Sequence, residues 1–144
     1  MLEKEKITSD FMDIQDHICK ELEIEDGKGK FQEDKWTRTE GGGGRTRILQ
    51  NGNIIAKGGV AFSAVEGPTP EKILQKLHLE KADFYATGVS IVIHPESPMV
   101  SIIHMNIRYF EMSNGVRWFG GGIDLTPHYV DIADAKYFHQ QVKE

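Results

Sequence analysis

Met99-Val-Ser-Ile-Ile-His-Met-Asn-Ile-Arg-Tyr-Phe110 is the stretch that decides how this 144-residue chain folds. A β-strand sends successive side chains to opposite faces. From 103 onward, one face carries Ile103, Met105, Ile107 and Tyr109, and the other carries His104, Asn106 and Arg108. The apolar row requires a sheet that buries one face. The polar row is unlike the Lys, Glu and Thr of an ordinary solvated face. A proton carrier, an amide and a guanidinium in register suit binding of an acidic ligand and proton transfer with it. Function is expected on that face.

The segments on either side read as more of the same sheet. Asp83–His94 is a second long strand, joined to Met99–Met112 by a turn with Pro95 and Pro98. Ser113-Asn-Gly115 is a hairpin turn, and Val116–Leu125 returns as a strand. Upstream, Phe31–Thr39, Arg45–Gln50 and Asn53–Val65 are predicted strands, with Asn51-Gly52 a two-residue hairpin between the last two. Gly67-Pro-Thr-Pro70 breaks the chain, and Glu71–His78 reads as a short helix. Residues 3–25 predict an amphipathic helix, because Ile7, Phe11, Ile14, Ile18 and Leu22 recur at steps of three or four. Asp26-Gly-Lys-Gly29 ends it. Asp131 onward turns helical again.

Helix, antiparallel meander, helix, with no βαβ repeat, predicts an α+β fold with one large antiparallel β-sheet flanked by helices. A single domain is expected over 1–144. It places the N-terminal helix within 1–29, the sheet over 30–130 with a short helix at 70–79, and the start of a helix over 131–144. The segment Asp134–Glu144 stops without a capping Gly or Pro, so the expected domain is the N-terminal portion of something longer.

Charged residues at 27% and hydrophobic residues at 39% fit a globular protein long enough for a real core. No run approaches the roughly 18–20 apolar residues that span a bilayer. Met1-Leu-Glu-Lys-Glu-Lys6 has no apolar signal core behind it, so membrane insertion is not expected. One cysteine, Cys19, cannot staple the fold, which suits a cytoplasmic setting. A net charge of −5 without a basic tract argues against nucleic acid as partner.

Glu40-Gly-Gly-Gly-Gly-Arg-Thr-Arg47 has the glycines of a phosphate loop, but no Lys-Ser/Thr opens a helix behind them. Two readings remain: a flexible connection, or a mobile loop bringing Arg45 and Arg47 over an anionic ligand. Trp118-Phe-Gly-Gly-Gly-Ile-Asp-Leu-Thr-Pro127 is unusual for a strand. Three glycines weaken a ladder unless something needs the space. Asp124 shares parity with Trp118, Gly120 and Gly122; it either faces that space or caps the turn before Thr126-Pro127. Ser90 and His94 share one strand face and join the polar row if their strand pairs with 99–112. His94, His104 and His139 match no zinc spacing, which leaves a histidine-metal hydrolase as a distant alternative. Cys19 lies on the helix as a small packed residue, and no serine sits in a nucleophile elbow.

From about Phe31 to the end, the chain resembles the oxygen-dependent coproporphyrinogen III oxidase family. The blocks that carry the resemblance are Glu33-Asp-Lys-Trp36 with the glycine loop through Arg47, Lys57-Gly-Gly-Val60, Gly88-Val-Ser-Ile-Val-Ile-His-Pro95, Ile103-His-Met-Asn-Ile-Arg-Tyr-Phe110 and Trp118-Phe-Gly-Gly-Gly-Ile-Asp-Leu-Thr-Pro127. The resemblance implies an oxidoreductase of haem biosynthesis. It would convert two propionates of coproporphyrinogen III to vinyls by oxidative decarboxylation, with molecular oxygen as co-substrate and protoporphyrinogen IX as product. It implies a homodimer and no organic cofactor. Ser90 and the stretch Asn106, Ile107, Arg108 match substrate-binding positions, and His104 matches the proton donor. His94 and His139 match histidines that ligate metal in some bacterial members. Against four substrate carboxylates, Arg108, Arg45 and Arg47 are the candidate partners, and Asp124 the candidate acceptor of pyrrole N–H. Ala61 and Ser101 depart from the family's usual Asn and Pro. The alternative is a truncated homologue that binds a tetrapyrrole or another anion without catalysis.

Overall fold

The computed structural model describes residues 3–143. Nine elements follow one another: α1 (Lys4–Asp26), β1 (Gln32–Thr37), β2 (Gly42–Gln50), β3 (Ile55–Pro68), α2 (Glu71–Leu77), β4 (Asp83–Pro95), β5 (Ile102–Met112), β6 (Arg117–Thr126) and α3 (Ile132–Lys143). The strands form one antiparallel sheet in chain order, β1 to β6. The expected α+β meander is therefore the observed fold. No helix among the described residues is long and apolar enough to cross a membrane.

The alternation read in 103–109 divides the sheet into two faces. Val60, Phe62, Val89, Ile91 and Tyr109 point to one side and form the core with Ile7, Phe11 and Cys19 of α1, which packs across β3 and β4. Ile14, Ile18 and Leu22 flank this core half-buried, while the fully buried helix position is Gln15. Its amide is completely used: Nε2 donates to the carbonyls of Arg45 at 2.8 Å and Val60 at 2.9 Å, and Oε1 accepts from Arg45 Nε at 2.7 Å. A buried amide is tolerated when every polar atom has a partner. On the same side, beyond the reach of α1, Phe119 and Ile123 of β6 remain exposed.

Two sequence expectations change. The connection between β2 and β3 is a four-residue loop, 51–54, and not a two-residue hairpin. The cause is Asp26 at the end of α1, which is 2% exposed. Its carboxylate accepts from the backbone N–H of Lys28, Gly29, Asn53, Ile54 and Ile55 at 2.6–3.3 Å, so the loop is tied to the helix end as well as to itself, where Asn51 N–H donates to the Ala56 carbonyl at 3.0 Å and Gly52 N–H to the Ile55 carbonyl at 2.9 Å. A Cβ at Gly52 would collide with that carboxylate. The second change concerns the glycine run. Gly42, Gly43 and Gly44 are part of β2 and not a mobile loop, because a Cβ at Gly44 would run into the Phe62 carbonyl and the Trp36 ring.

Candidate active site

Strands β4, β5 and β6 bring the polar row together on the face away from α1. Register pairs Val92 with His104 and His104 with Asp124, then Ser90 with Asn106 and Asn106 with Gly122, then Gly88 with Arg108 and Arg108 with Gly120. His104 Nδ1 lies 2.9 Å from Asp124 Oδ1, and the same oxygen accepts from Thr126 Oγ1 at 3.1 Å. With the carboxylate ionised, Nδ1–H donates and Nε2 is left as the second proton site of the ring. Asp124 thus fixes the tautomer of the histidine. The hydrogen bond from His104, reinforced by Thr126, holds the Asp124 carboxyl below its ordinary range. Asp124 faces the shared space, not the turn behind it.

The floor around this pair is bare. A Cβ at Gly59, Gly120 or Gly122 would meet nothing within 4 Å. The Arg108 stem lies across Gly88, where a Cβ would come 2.9 Å from its Cγ, and its guanidinium end is exposed. Aromatic rings close one end of the face. Phe110 stacks on Trp118 at 4.5 Å between centroids, and Phe84 stacks on Phe110 at 5.9 Å. The result is a glycine-paved platform with an imidazole–carboxylate pair, an amide, a hydroxyl and a guanidinium projecting from it. Such a platform can neutralise a carboxylate, accept an N–H and move a proton.

Three of the expected ligand-binding side chains are elsewhere. Arg45 and Arg47 pair in register with Phe62 and Val60, so they point to the α1 side. Arg45 donates to the Met12 carbonyl at 2.9 Å and to Asp16 at 2.9 Å; Arg47 reaches Asp16 at 2.7 Å and Glu33 at 2.8 Å. Their side chains are only 14% and 17% exposed, which makes them braces between helix and sheet. Ile107 also points away from the platform and packs against the core, leaving only its backbone on the site. His94 stands on the platform face one step beyond His104, opposite Lys57. His139 lies on α3, beside a cavity shared with Asp124. Among the described residues no three His, Cys, Asp or Glu side chains are gathered closely enough to hold a metal ion. The present arrangement of His94, His104 and His139 does not fit a metal site.

Sequence reading missed Thr126, although its i+2 spacing from Asp124 puts it on the same face. It also missed the Phe84–Phe110–Trp118 stack, which needs the register of three strands to be seen.

Comparison with known proteins identifies the family. The model of the family described as coproporphyrinogen III oxidase matches residues 6–144. A protein of Prochlorococcus marinus (strain MIT 9515), named oxygen-dependent coproporphyrinogen-III oxidase, is 46% identical over 140 residues, covering 96% of this chain and 41% of that protein. Proteins of the same name from Synechococcus sp. (strain CC9902) and Prochlorococcus marinus (strain NATL2A) are 46% and 48% identical, with 95% and 89% of this chain covered and 38% and 37% of theirs. The chain thus spans less than half the length of the curated relatives it matches. On a family match from residue 6 to the last residue and relatives near half identity, the chain belongs to the coproporphyrinogen III oxidase family.

Proposed function

We propose that this chain supplies the substrate platform of an oxygen-dependent coproporphyrinogen oxidase, converting two propionates of coproporphyrinogen III to vinyls on the way to haem. The observation that carries this reading is the His104–Asp124 contact, set in one face with Asn106, Arg108 and three open glycines. Each propionate that becomes a vinyl loses carbon dioxide, two electrons and a proton, and oxygen takes the electrons. The pyrrole rings are electron-rich and serve as the electron source. Asp124 accepts a pyrrole N–H and stabilises the positive charge that develops on that ring, and His104 carries the proton. Arg108 neutralises a propionate, while Asn106 and Ser90 hydrogen-bond to the substrate rim. Gly120 and Gly122 leave room for the macrocycle.

The same reading includes a homodimer, which the family resemblance supports, and a cytoplasmic setting, which the single buried cysteine suits. The test is to load the protein with coproporphyrinogen III without oxygen and then admit oxygen. Carbon dioxide and a vinyl-bearing product are the expected outcome. Binding without either product would instead support a tetrapyrrole-binding role.

A further inference from the structure

A macrocycle with carboxylates around its rim needs cations on more than one side, yet Arg45 and Arg47 lie behind the sheet. We infer that Lys57 is the second carboxylate anchor of the platform, opposite Arg108; this rests on the porphyrinogen reading above and extends it. The register of β3 carries the assignment. Gly59 pairs with Val92, Ala61 with Ser90 and Ser63 with Gly88, so β3 continues the rows of His104, Asn106 and Arg108. Lys57, paired with His94, stands on the same face one step beyond the His104–Asp124 row. Arg108 stands two steps beyond that row in the other direction.

The two cations therefore bracket the imidazole–carboxylate pair. They are separated by about 20 Å along the strands and about 10 Å across them. That span is too wide for two cations to share one carboxylate, and it suits a large ligand with carboxylates on opposite edges. Between them the face carries only uncharged side chains from β3 and β4: Gly59, Ala61, Ser90 and Val92. Charge pairing points the same way. Among the described residues on strands β1 to β5 or immediately following one, Lys35, Arg38, Arg45 and Arg47 each have a carboxylate within ion-pair distance, whereas Lys57 and Arg108 have none. Both are exposed, and packing gives no reason for a lysine beside a histidine there. The groups facing Lys57 are His94 directly opposite, then His104 and Asp124 one row on, with Asp124 already engaged by His104 and Thr126. A flexible ammonium is suited to follow a propionate that swings, while the planar guanidinium of Arg108 fixes its partner in a fork.

The chain has two tryptophans, and both Trp36 and Trp118 stand on this face, so their fluorescence reads occupancy directly. Titration with coproporphyrinogen III kept reduced under nitrogen should give a Kd that rises about tenfold in Lys57→Ala and is largely restored in Lys57→Arg. The tetramethyl ester, which has no carboxylate to lose, should bind wild type and Lys57→Ala alike. Wild-type affinity in Lys57→Ala, alongside weakened binding in Arg108→Ala, would overturn the lysine assignment and leave the platform as the porphyrinogen site. An equal loss with acid and ester would overturn it too, because the effect would then be structural. A wild-type protein that does not bind the porphyrinogen would overturn the assignment together with the reading beneath it.

Discussion

On the α1 side of the sheet, Val60, Phe62, Val89, Ile91 and Tyr109 are all at most 5% exposed, and the polar groups among them are fully paired. On the opposite side the same strands present Gly59, Ser90, Asn106, His104 and Arg108, with open space above the glycines. Packing explains the first set and does not explain the second. The comparison also separates arginines that a motif alone would group together. Arg45 and Arg47 brace a helix, and Arg108 stands exposed beside Asn106, because the rows they occupy lie on opposite faces.

Substitutions sharpen this contrast. Phe62→Ala should destabilise the fold by about 3–5 kcal/mol, since it opens a cavity under α1. Val92→Ala, on the platform side and 37% exposed, should cost under about 1 kcal/mol. Urea unfolding of both measures the difference.

Two carboxylates test the faces by acid. Asp26 is buried; burial opposes its ionisation, but the backbone N–H donors of Ile55, Gly29, Ile54 and Asn53 outweigh that and hold its carboxyl far below the ordinary range. A folded-state value below the unfolded one means the unfolded chain binds more protons in acid, so stability rises with pH there. The Asp26 contribution is complete above about pH 5 and is lost progressively as pH falls below about 4. Asp26→Ala should cost about 3 kcal/mol by orphaning those donors, and it should flatten the acid limb of the unfolding midpoint. Asp124 is also lowered but exposed, so Asp124→Asn should leave that limb as it is.

Next in size are the arginines. Arg45→Gln should lose about 2 kcal/mol of stability, because Gln15 Oε1 and the Met12 carbonyl lose their donor. Arg108→Gln should change stability by under about 0.5 kcal/mol, while weakening porphyrinogen binding about tenfold. The smallest contrast lies inside the triple glycine. Gly121→Ala should cost about 1 kcal/mol, since its Cβ would strike the Asn106 carbonyl. Gly122→Ala, facing open space, should leave stability unchanged or raise it by about 0.5 kcal/mol and should weaken ligand binding. Thermal melts and the tryptophan titration read the two effects separately.

Much of this was legible in the chain. Alternation over 103–109 fixes which residues share a face, and parity alone carries Asp124 to the side of Gly120 and Gly122. The chain-order meander and the turn at Ser113-Asn-Gly115 follow from local composition, while the length of the turn at Asn51-Gly52 does not. Parity could not carry Arg45 and Arg47 to a face. Their side relative to His104 depends on the lengths of the β2–β3, β3–β4 and β4–β5 connections, and the first of these is held by Asp26, a residue far away in sequence. The buried amide of Gln15 was hidden for a related reason. A polar residue at a core position looks like a solvated one until its partners on β2 and β3 are known.

The most direct test of the platform is the split between turnover and binding in Asp124→Ala. Turnover, read as carbon dioxide released from coproporphyrinogen III after oxygen is admitted, should fall by about 10²–10⁴, while the anaerobic Kd stays within about threefold of wild type. A turnover rate near wild type would contradict the account.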